Sequence, residues 1–204
     1  MAYGRWKSLD QVERYARKRY SKLDQRLVDR REKALVRSLL QSYGITGDVL
    51  DLPVGYGRFQ PLLREFGTVY AGDWGFFPAV YAHERLGTAR LSVTCDAQFV
   101  PFGNNTMDLV FCFRLMQHMH VREERVRIYR ELGRVSRRWV LVSVYLQSVF
   151  HTVHRTLFPQ PSRITFLRRS EFETELAEAG LRLVALRSVL PGLHGHRIVL
   201  AQLS

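Results

Sequence analysis

Residues 49–59 read VLDLPVGYGRF. A short apolar run ends in an acid, Asp51, and is followed by Gly55 and Gly57, one residue apart, and then by Arg58. A tight turn needs only one glycine. Two of them beside an acid, directly after a strand-like segment, describe a backbone that lets something else come close. The dinucleotide fingerprint G-x-G-x-x-G is incomplete, because Gln60 stands where its third glycine would be. The turn therefore predicts a ligand site without a pyrophosphate cradle.

Working outward, the chain alternates between the two hydrophobic periods. Residues 9–42 read as two helical segments, with Leu27, Leu35 and Leu39 at helical spacing. Strand-like runs follow at 48–54, 68–74, 89–97, 107–115 and 139–145, with helical segments at 59–66, 78–86 and 122–136 between them. The run at 107–115, MDLVFCFRL, is apolar on both faces, as an interior parallel strand must be. A helix at 170–180 carries Ser170 and Glu173 as a cap pair and stops at Gly180. Two strands, 181–189 and 196–203, complete the pattern. Such alternation predicts an α/β three-layer sandwich. The turn at 52–58 then falls at the topological switch point, where open sheets bind ligands.

Composition narrows the class. A chain of 204 residues reads as a single domain with a core of its own. No apolar run approaches the ~18 residues of a membrane span. The first twenty residues are charged throughout and lack the apolar stretch of a signal peptide, so the expected compartment is the cytoplasm. Cys95 and Cys112 form no metal-type pair and sit in apolar strands, which predicts reduced thiols. Lys and Arg number 31 against 19 acids, a net charge of +12. Lysine occurs only at 7, 18, 22 and 33. An arginine-rich surface attracts phosphate, nucleic acid or an anionic membrane face; a compositional bias toward arginine gives the same count.

The turn at 51–57 resembles motif I of the class I S-adenosylmethionine-dependent methyltransferases, an acid, three residues, then Gly-x-Gly. The order downstream is similar too. VYAGDWG at 69–75 supplies Asp73 just past the second strand. CDAQFVPFGNNTMDLVF at 95–111 resembles the next motifs, and YRELGRVSRRWVLVSVY at 129–145 the later helix and fifth strand. The resemblance runs from about residue 49 to the end. It implies a Rossmann-like fold with a seven-stranded, mostly parallel sheet whose last strand is antiparallel. It also implies S-adenosylmethionine as cofactor and S-adenosylhomocysteine as product.

The roles it implies fall on named residues. Gly55 and Gly57 admit the cofactor, and Asp51 fixes their turn and reaches the methionine amino group. Asp73 accepts the ribose hydroxyls. Asp96 and the backbone from Ala97 to Phe99 meet the adenine, with Trp74 and Phe99 on its two faces. Tyr20 (or Tyr15) and Arg19 close over the methionine end. The segments 1–42 and 146–169 become a helical cover and an acceptor lid, with a helix at 147–158. Tyr56 departs from the family's small residue and either points outward or narrows the site.

Methyl transfer asks little of side chains, since the sulfonium is already activated; a base is needed only when the acceptor must lose a proton. His118, just after the fourth strand, is the candidate for that base, with His120, Arg114 and Tyr145 behind it. Its neighbours Leu115, Met116 and Met119 also suit a packing role. The pair His118 and His120 lacks the further ligands a metal requires, so no metal is expected. His151, His154, His194 and His196 read as surface groups. The expected partner is a small-molecule or lipid-linked acceptor, O- or N-methylated, with an anionic group allowed for. A peripheral membrane contact and a protein partner stay open. Two alternatives stand beside this: a methyltransferase fold retained as a binding scaffold, and an RNA methyltransferase. The second lacks the Asn/Asp-Pro-Pro-aromatic motif of base amino methylases; FRLMQH stands there.

Overall fold

A computed structural model describes residues 6–19, 21–147, 164–192 and 195–204. Two helices, α1 (Leu9–Arg19) and α2 (Leu23–Ser42), precede β1 (Gly47–Asp51). Then come α3 (Gln60–Leu63), β2 (Gly67–Asp73), α4 (Phe76–Val80) with a wider turn over Tyr81–Arg85, and β3 (Leu91–Thr94). The chain continues through β4 (Met107–Cys112), a 3-10 turn (Met116–His118), α5 (Arg122–Val135) and β5 (Ser136–Tyr145). It ends with α6 (Arg169–Glu178), β6 (Leu181–Ser188) and β7 (His196–Leu203).

The seven strands form one sheet in the order β3-β2-β1-β4-β5-β7-β6, in which β7 alone runs opposite to the other six. The expected α/β architecture, including the reversed last strand, is the one observed. Period-2 alternation divides the apolar side chains between the two faces. Leu50, Val110, Cys112, Val140 and Val142 pack on the side of α5 and α6, with Tyr129, Leu132, Phe172 and Leu176. Val49, Leu109, Phe111, Leu141, Ile198 and Leu200 pack on the side of α2, with Val36, Leu39 and Leu40. Each such side chain contributes roughly 1.5–3 kcal/mol when fully buried. That two-sided burial is why β4 reads as a continuous apolar run.

The last helix begins one residue earlier than its sequence suggests. Glu171, not Glu173, reaches back to the capping position, where its Oε2 accepts the Arg168 N–H at 2.8 Å. Ser170 lies inside the helix, and its carbonyl accepts the Thr174 hydroxyl. Cys95 and Cys112 are both free thiols. Burial pushes Cys95 up to about 11, and Cys112, fully enclosed, rises further. Among the described residues no helix is long and apolar enough to cross a membrane.

Candidate active site

The carboxyl ends of β1, β2 and β4 carry the residues that the sequence singled out. After β1 the chain turns sharply: the Val54 N–H donates to Gly72 O at 2.8 Å and the Gly57 N–H to Val54 O at 2.9 Å. Gly55 and Gly57 have φ of 56° and 70°, in the region L residues avoid. A Cβ on Gly57 would lie 2.3 Å from Leu86 Cδ1, whereas one on Gly55 would meet nothing within 4 Å. Gly57 is thus fixed by packing, and Gly55 by its conformation, with open space above it. Asp73, at the end of β2, clamps this turn. Its two carboxylate oxygens accept the Gly55 and Gly75 N–H groups, each at 2.8 Å.

Two acids meet here. Asp51 is only 3% exposed. Burial, reinforced by the charge of Asp73 and opposed by Arg58, pushes its carboxyl well above the usual range. Burial also raises Asp73, against the two backbone donors that favour its ionised form. A cation placed between them would relieve both. The sulfonium and amino groups of S-adenosylmethionine are such cations, and the open space above Gly55 gives them room, so the residues present fit that cofactor.

Two cavities open on these strand ends. The smaller, about 40 Å³, is lined by Pro53, Trp74, Asp96, Ala97, Leu115 and Met119. Its apolar walls and single carboxylate suit a flat heteroaromatic ring with an amino group. The larger, about 470 Å³, is lined by Asp51, Gly55, Tyr56, Phe113, Arg114, His118 and Tyr145, with Tyr15 and Arg19 from α1. Pro53 lines both. Most of the expected site residues divide between them: Asp51, Gly55, Arg19 and His118 line the larger, Trp74, Asp96 and Ala97 the smaller. Phe99 lies in neither; it is 69% exposed and its N–H donates to Asp96 O. Asp73 and Gly57 line neither; Asp73 holds the turn by the Gly55 and Gly75 N–H groups, and Gly57 lies against Leu86. Tyr20, His151, His154, His194 and, apart from residue 147, the helix expected at 147–158 lie outside the described residues.

His118 ends the 3-10 turn with its ring exposed on the larger cavity, while its neighbours Met116 and Met119 are buried. The packing role therefore falls to the methionines. Partial desolvation, then His120 and Arg114, hold its imidazole below the usual range, so it is neutral and able to accept a proton. Tyr56 does not point outward. It lines the larger cavity and its ring meets Tyr15 edge-on, 5.6 Å between centroids.

Beneath the larger cavity lies a cluster the sequence reading did not assemble. Glu32 of α2 is completely buried. Its Oε2 accepts Arg58 Nη1 at 2.6 Å and its Oε1 accepts Arg114 Nη2 at 2.5 Å. His196 Nδ1, at the start of β7, lies 3.2 Å from the same Oε1. Burial alone would raise the Glu32 carboxyl; the His196 hydrogen bond and the two guanidinium charges outweigh it and bring it down to about 2. His196 is itself held low, chiefly by burial, so the neutral ring donates its Nδ1–H. It is a buried member of the network, not the surface group expected. The signal was present: Glu32 stands on the stripe of Val36, Leu39 and Leu40, and His196 on the face of Ile198 and Leu200.

Residues 50–142 match a family model described as a methyltransferase domain. No curated protein matches the chain. Among solved structures, the chain is similar to the magnesium protoporphyrin IX methyltransferase of Synechocystis PCC 6803 with bound S-adenosylhomocysteine. The two are 20% identical over 90% of this chain and 88% of that one, with a TM-score of 0.72. The same protein with bound S-adenosylmethionine aligns at 18% identity over 96% and 97% of the two chains, TM-score 0.69. An S-adenosylmethionine-dependent methyltransferase of Clostridium acetobutylicum ATCC 824 aligns at 11% identity over 96% and 98%, TM-score 0.72.

Proposed function

The chain carries a class I S-adenosylmethionine-dependent methyltransferase domain, and from that premise we propose that it methylates an oxygen or nitrogen of a small-molecule or lipid-linked acceptor held in the larger cavity. S-adenosylmethionine, the cofactor of such a domain, supplies a methyl group already activated on a sulfonium. The observation that supports the reading is that Pro53, in the turn after β1, lines both cavities. One cavity has the walls of a nucleobase slot; the other has space for an acceptor and a base.

In this reading the chain's own residues position and protect. Asp73 accepts the ribose hydroxyls, Asp96 the adenine amino proton, and Asp51 the methionine ammonium. Arg19 takes the methionine carboxylate. His118 accepts the acceptor's proton where the acceptor is a hydroxyl or ammonium. The two free cysteines favour a cytoplasmic setting.

The scaffold reading draws on one observation, that the Tyr56 and Tyr15 rings take up part of the larger cavity's wall. A melting series with S-adenosylmethionine and S-adenosylhomocysteine separates the two. At a hundredfold excess over the dissociation constant, a ligand of the native state adds about 2.7 kcal/mol. A flat melting temperature would leave the scaffold. With cofactor bound, His118→Ala and His118→Gln are both expected to slow turnover by about 10² to 10⁴ while S-adenosylhomocysteine affinity holds. A fully active glutamine variant would reduce His118 to a positioning role.

A further inference from the structure

We infer that the end of the molecule on which the cavities open docks on an anionic lipid bilayer, and that the acceptor held there is lipid-linked. The acceptor class rests on the methyl-transfer reading. The docking rests on where apolar and basic side chains stand exposed.

Eight large apolar side chains are exposed among the described residues. Six of the eight, Leu23, Leu27, Trp74, Phe76, Phe99 and Val121, lie at the carboxyl ends of the strands. Tyr43, between α2 and β1, and Leu91, at the start of β3, lie at the other end. Trp74 lines the smaller cavity; the other five line neither. Single exposed apolar residues are ordinary, but a set confined to the end that holds a ligand site marks a surface that is covered in use.

The start of α2 carries the argument furthest. Asp29 and Glu32 tie it to Arg58, in the turn after β1, at 2.8 and 2.6 Å. The helix therefore begins at the cavity end, and Leu23 stands about 9 Å of helix rise before Asp29. Leu23 is also about two and a half turns before the buried Glu32, and so on the opposite face. It is 74% exposed, and Leu27, one turn on, 55%. α2 thus has two apolar sides. Val36, Leu39 and Leu40 meet the sheet, while Leu23 and Leu27 meet solvent.

Cations surround these leucines. From Leu9 to Arg31 there are eight Lys and Arg against Asp10, Glu13, Asp24 and Asp29, a net +4 in 23 residues. That is about three times the charge density of the whole chain, +12 in 204. Lys22, Arg26 and Arg30 form an exposed row along α2 beside Leu23 and Leu27. Arg14, Arg17 and Lys18 are exposed on one face of α1, where Arg17 also pairs with Glu13. α1 leads into α2 and packs on α4, which starts at Phe76, and it lines the larger cavity with Tyr15 and Arg19. Apolar side chains set among Lys and Arg are the composition of an element that lies in an anionic membrane interface. A nucleic acid would engage the cations and leave the leucines in water. On a bilayer both are used, and a lipid-linked hydroxyl or amine reaches the cavity from the headgroup layer.

Sedimentation of the whole chain with vesicles tests the docking. Vesicles of equal parts phosphatidylglycerol and phosphatidylcholine are expected to bind about tenfold or more tightly than phosphatidylcholine alone, and less tightly as salt rises. The double variant Leu23→Ser with Leu27→Ser should lose about tenfold, and so should Lys22→Gln with Arg30→Gln. Leu91→Ser, at the other end of the sheet, should lose nothing. Phe76→Ser replaces the leucine variant if that one fails to fold. Absent binding, equal binding to both kinds of vesicle, or binding that the leucine and charge variants leave intact overturns the inference. So does a dimer that the leucine variant breaks, which would assign the face to a second copy. Retention on poly(U) RNA that matches vesicle binding and is indifferent to the leucines overturns it too, in favour of nucleic acid. Titration with S-adenosylhomocysteine on the same samples keeps the two readings apart. A protein that binds S-adenosylhomocysteine but no vesicle keeps methyl transfer and loses the membrane. One that binds vesicles through the leucines but no S-adenosylhomocysteine keeps the docking face and loses methyl transfer.

Discussion

At the end of β2, Asp73 holds two backbone N–H groups, from residues 2 and 18 positions away. At the end of β4, Arg114 reaches a carboxylate 82 positions upstream. Both residues shape a wall of the same site, yet one works through nearby turns and the other through a side-chain network gathered from α2, β4 and β7. The cofactor end is held mainly by peptide groups, which any sequence supplies once the glycines allow the turn. The acceptor end is held by ionised side chains packed on the buried Glu32 beneath the larger cavity. Loss of one partner there strands the others without water.

The largest effect should therefore come from the acceptor end. Glu32→Ala would leave Arg58 and Arg114 without the carboxylate they share, and breaking a buried ion pair from one side costs about 3–5 kcal/mol. Urea denaturation should show that loss, with Glu32→Gln losing less. A cost under about 1 kcal/mol would mean that water reaches the cluster, and the contrast between the two ends would fail.

Titration should sharpen the contrast, because the buried acids on the two sides shift in opposite directions. Glu32 falls from 4.5 to about 2 on folding. Its stabilisation is full above pH 4.5 and is lost as pH falls from there toward 2, about 3 kcal/mol in all. Asp51 is raised, so the folded state holds its proton over a window where the unfolded chain has released it. Its contribution therefore declines as pH rises from 3.8 to the raised value. Glu32→Gln should flatten the acid limb of the stability curve. Asp51→Asn should stabilise the cofactor-free protein at neutral pH while weakening S-adenosylmethionine. The same sign for both variants would contradict these environments.

These two ends also differ in how far the sequence disclosed them. The strands and the turn at Gly55 and Gly57 were legible because each is coded within a dozen residues, by period and by glycine position; the reversed last strand came only with the family resemblance, since period does not give a strand's direction. Asp73 and Asp96 were legible because one ends β2 and the other stands two residues past β3. Glu32 and His196 were not, since their meaning depends on a partner in another layer. Each appeared only as a polar residue on an apolar stripe, which a surface helix or an edge strand tolerates equally well. Arg114 was visible as a candidate, but its left-handed backbone, at a φ of 61°, has no sequence signature in a non-glycine residue. Ser170 misled because Glu171 and Glu173 both stand near the helix start, and only the backbone decides which one caps it.

Asp73 tests the cofactor end by itself. Asp73→Ala removes the acceptor of the ribose hydroxyls together with the clamp on Gly55 and Gly75. Hydrogen bonds to a charged group contribute about 1.5–3 kcal/mol, so S-adenosylhomocysteine affinity should fall by about tenfold to a hundredfold in calorimetry. Stability should fall less than in Glu32→Ala, because the freed N–H groups lie in a turn that water can reach. A larger stability loss than that of Glu32→Ala would reverse the ranking of the two ends.

The smallest effect separates two rings that the sequence placed on either side of the adenine. Trp74 is 50% exposed and lines the smaller cavity, whereas Phe99 is 69% exposed and lines neither. Stacking of an aromatic pair is worth about 0.5–1.5 kcal/mol beyond area burial, roughly a twofold to tenfold change in affinity. Trp74→Ala should therefore weaken S-adenosylhomocysteine by about that factor, and Phe99→Ala by less than about twofold. Apolar contact opposite Trp74 then comes from Leu115 and Met119, which line the same cavity. Leu115→Ala should show a loss like that of Trp74→Ala, with a modest cost in stability. Equal losses for Trp74→Ala and Phe99→Ala would mean that residues 97–99 fold inward onto the bound nucleobase. Part of the cofactor end would then be built by the ligand and not, as the turn at Gly55 is, by the chain alone.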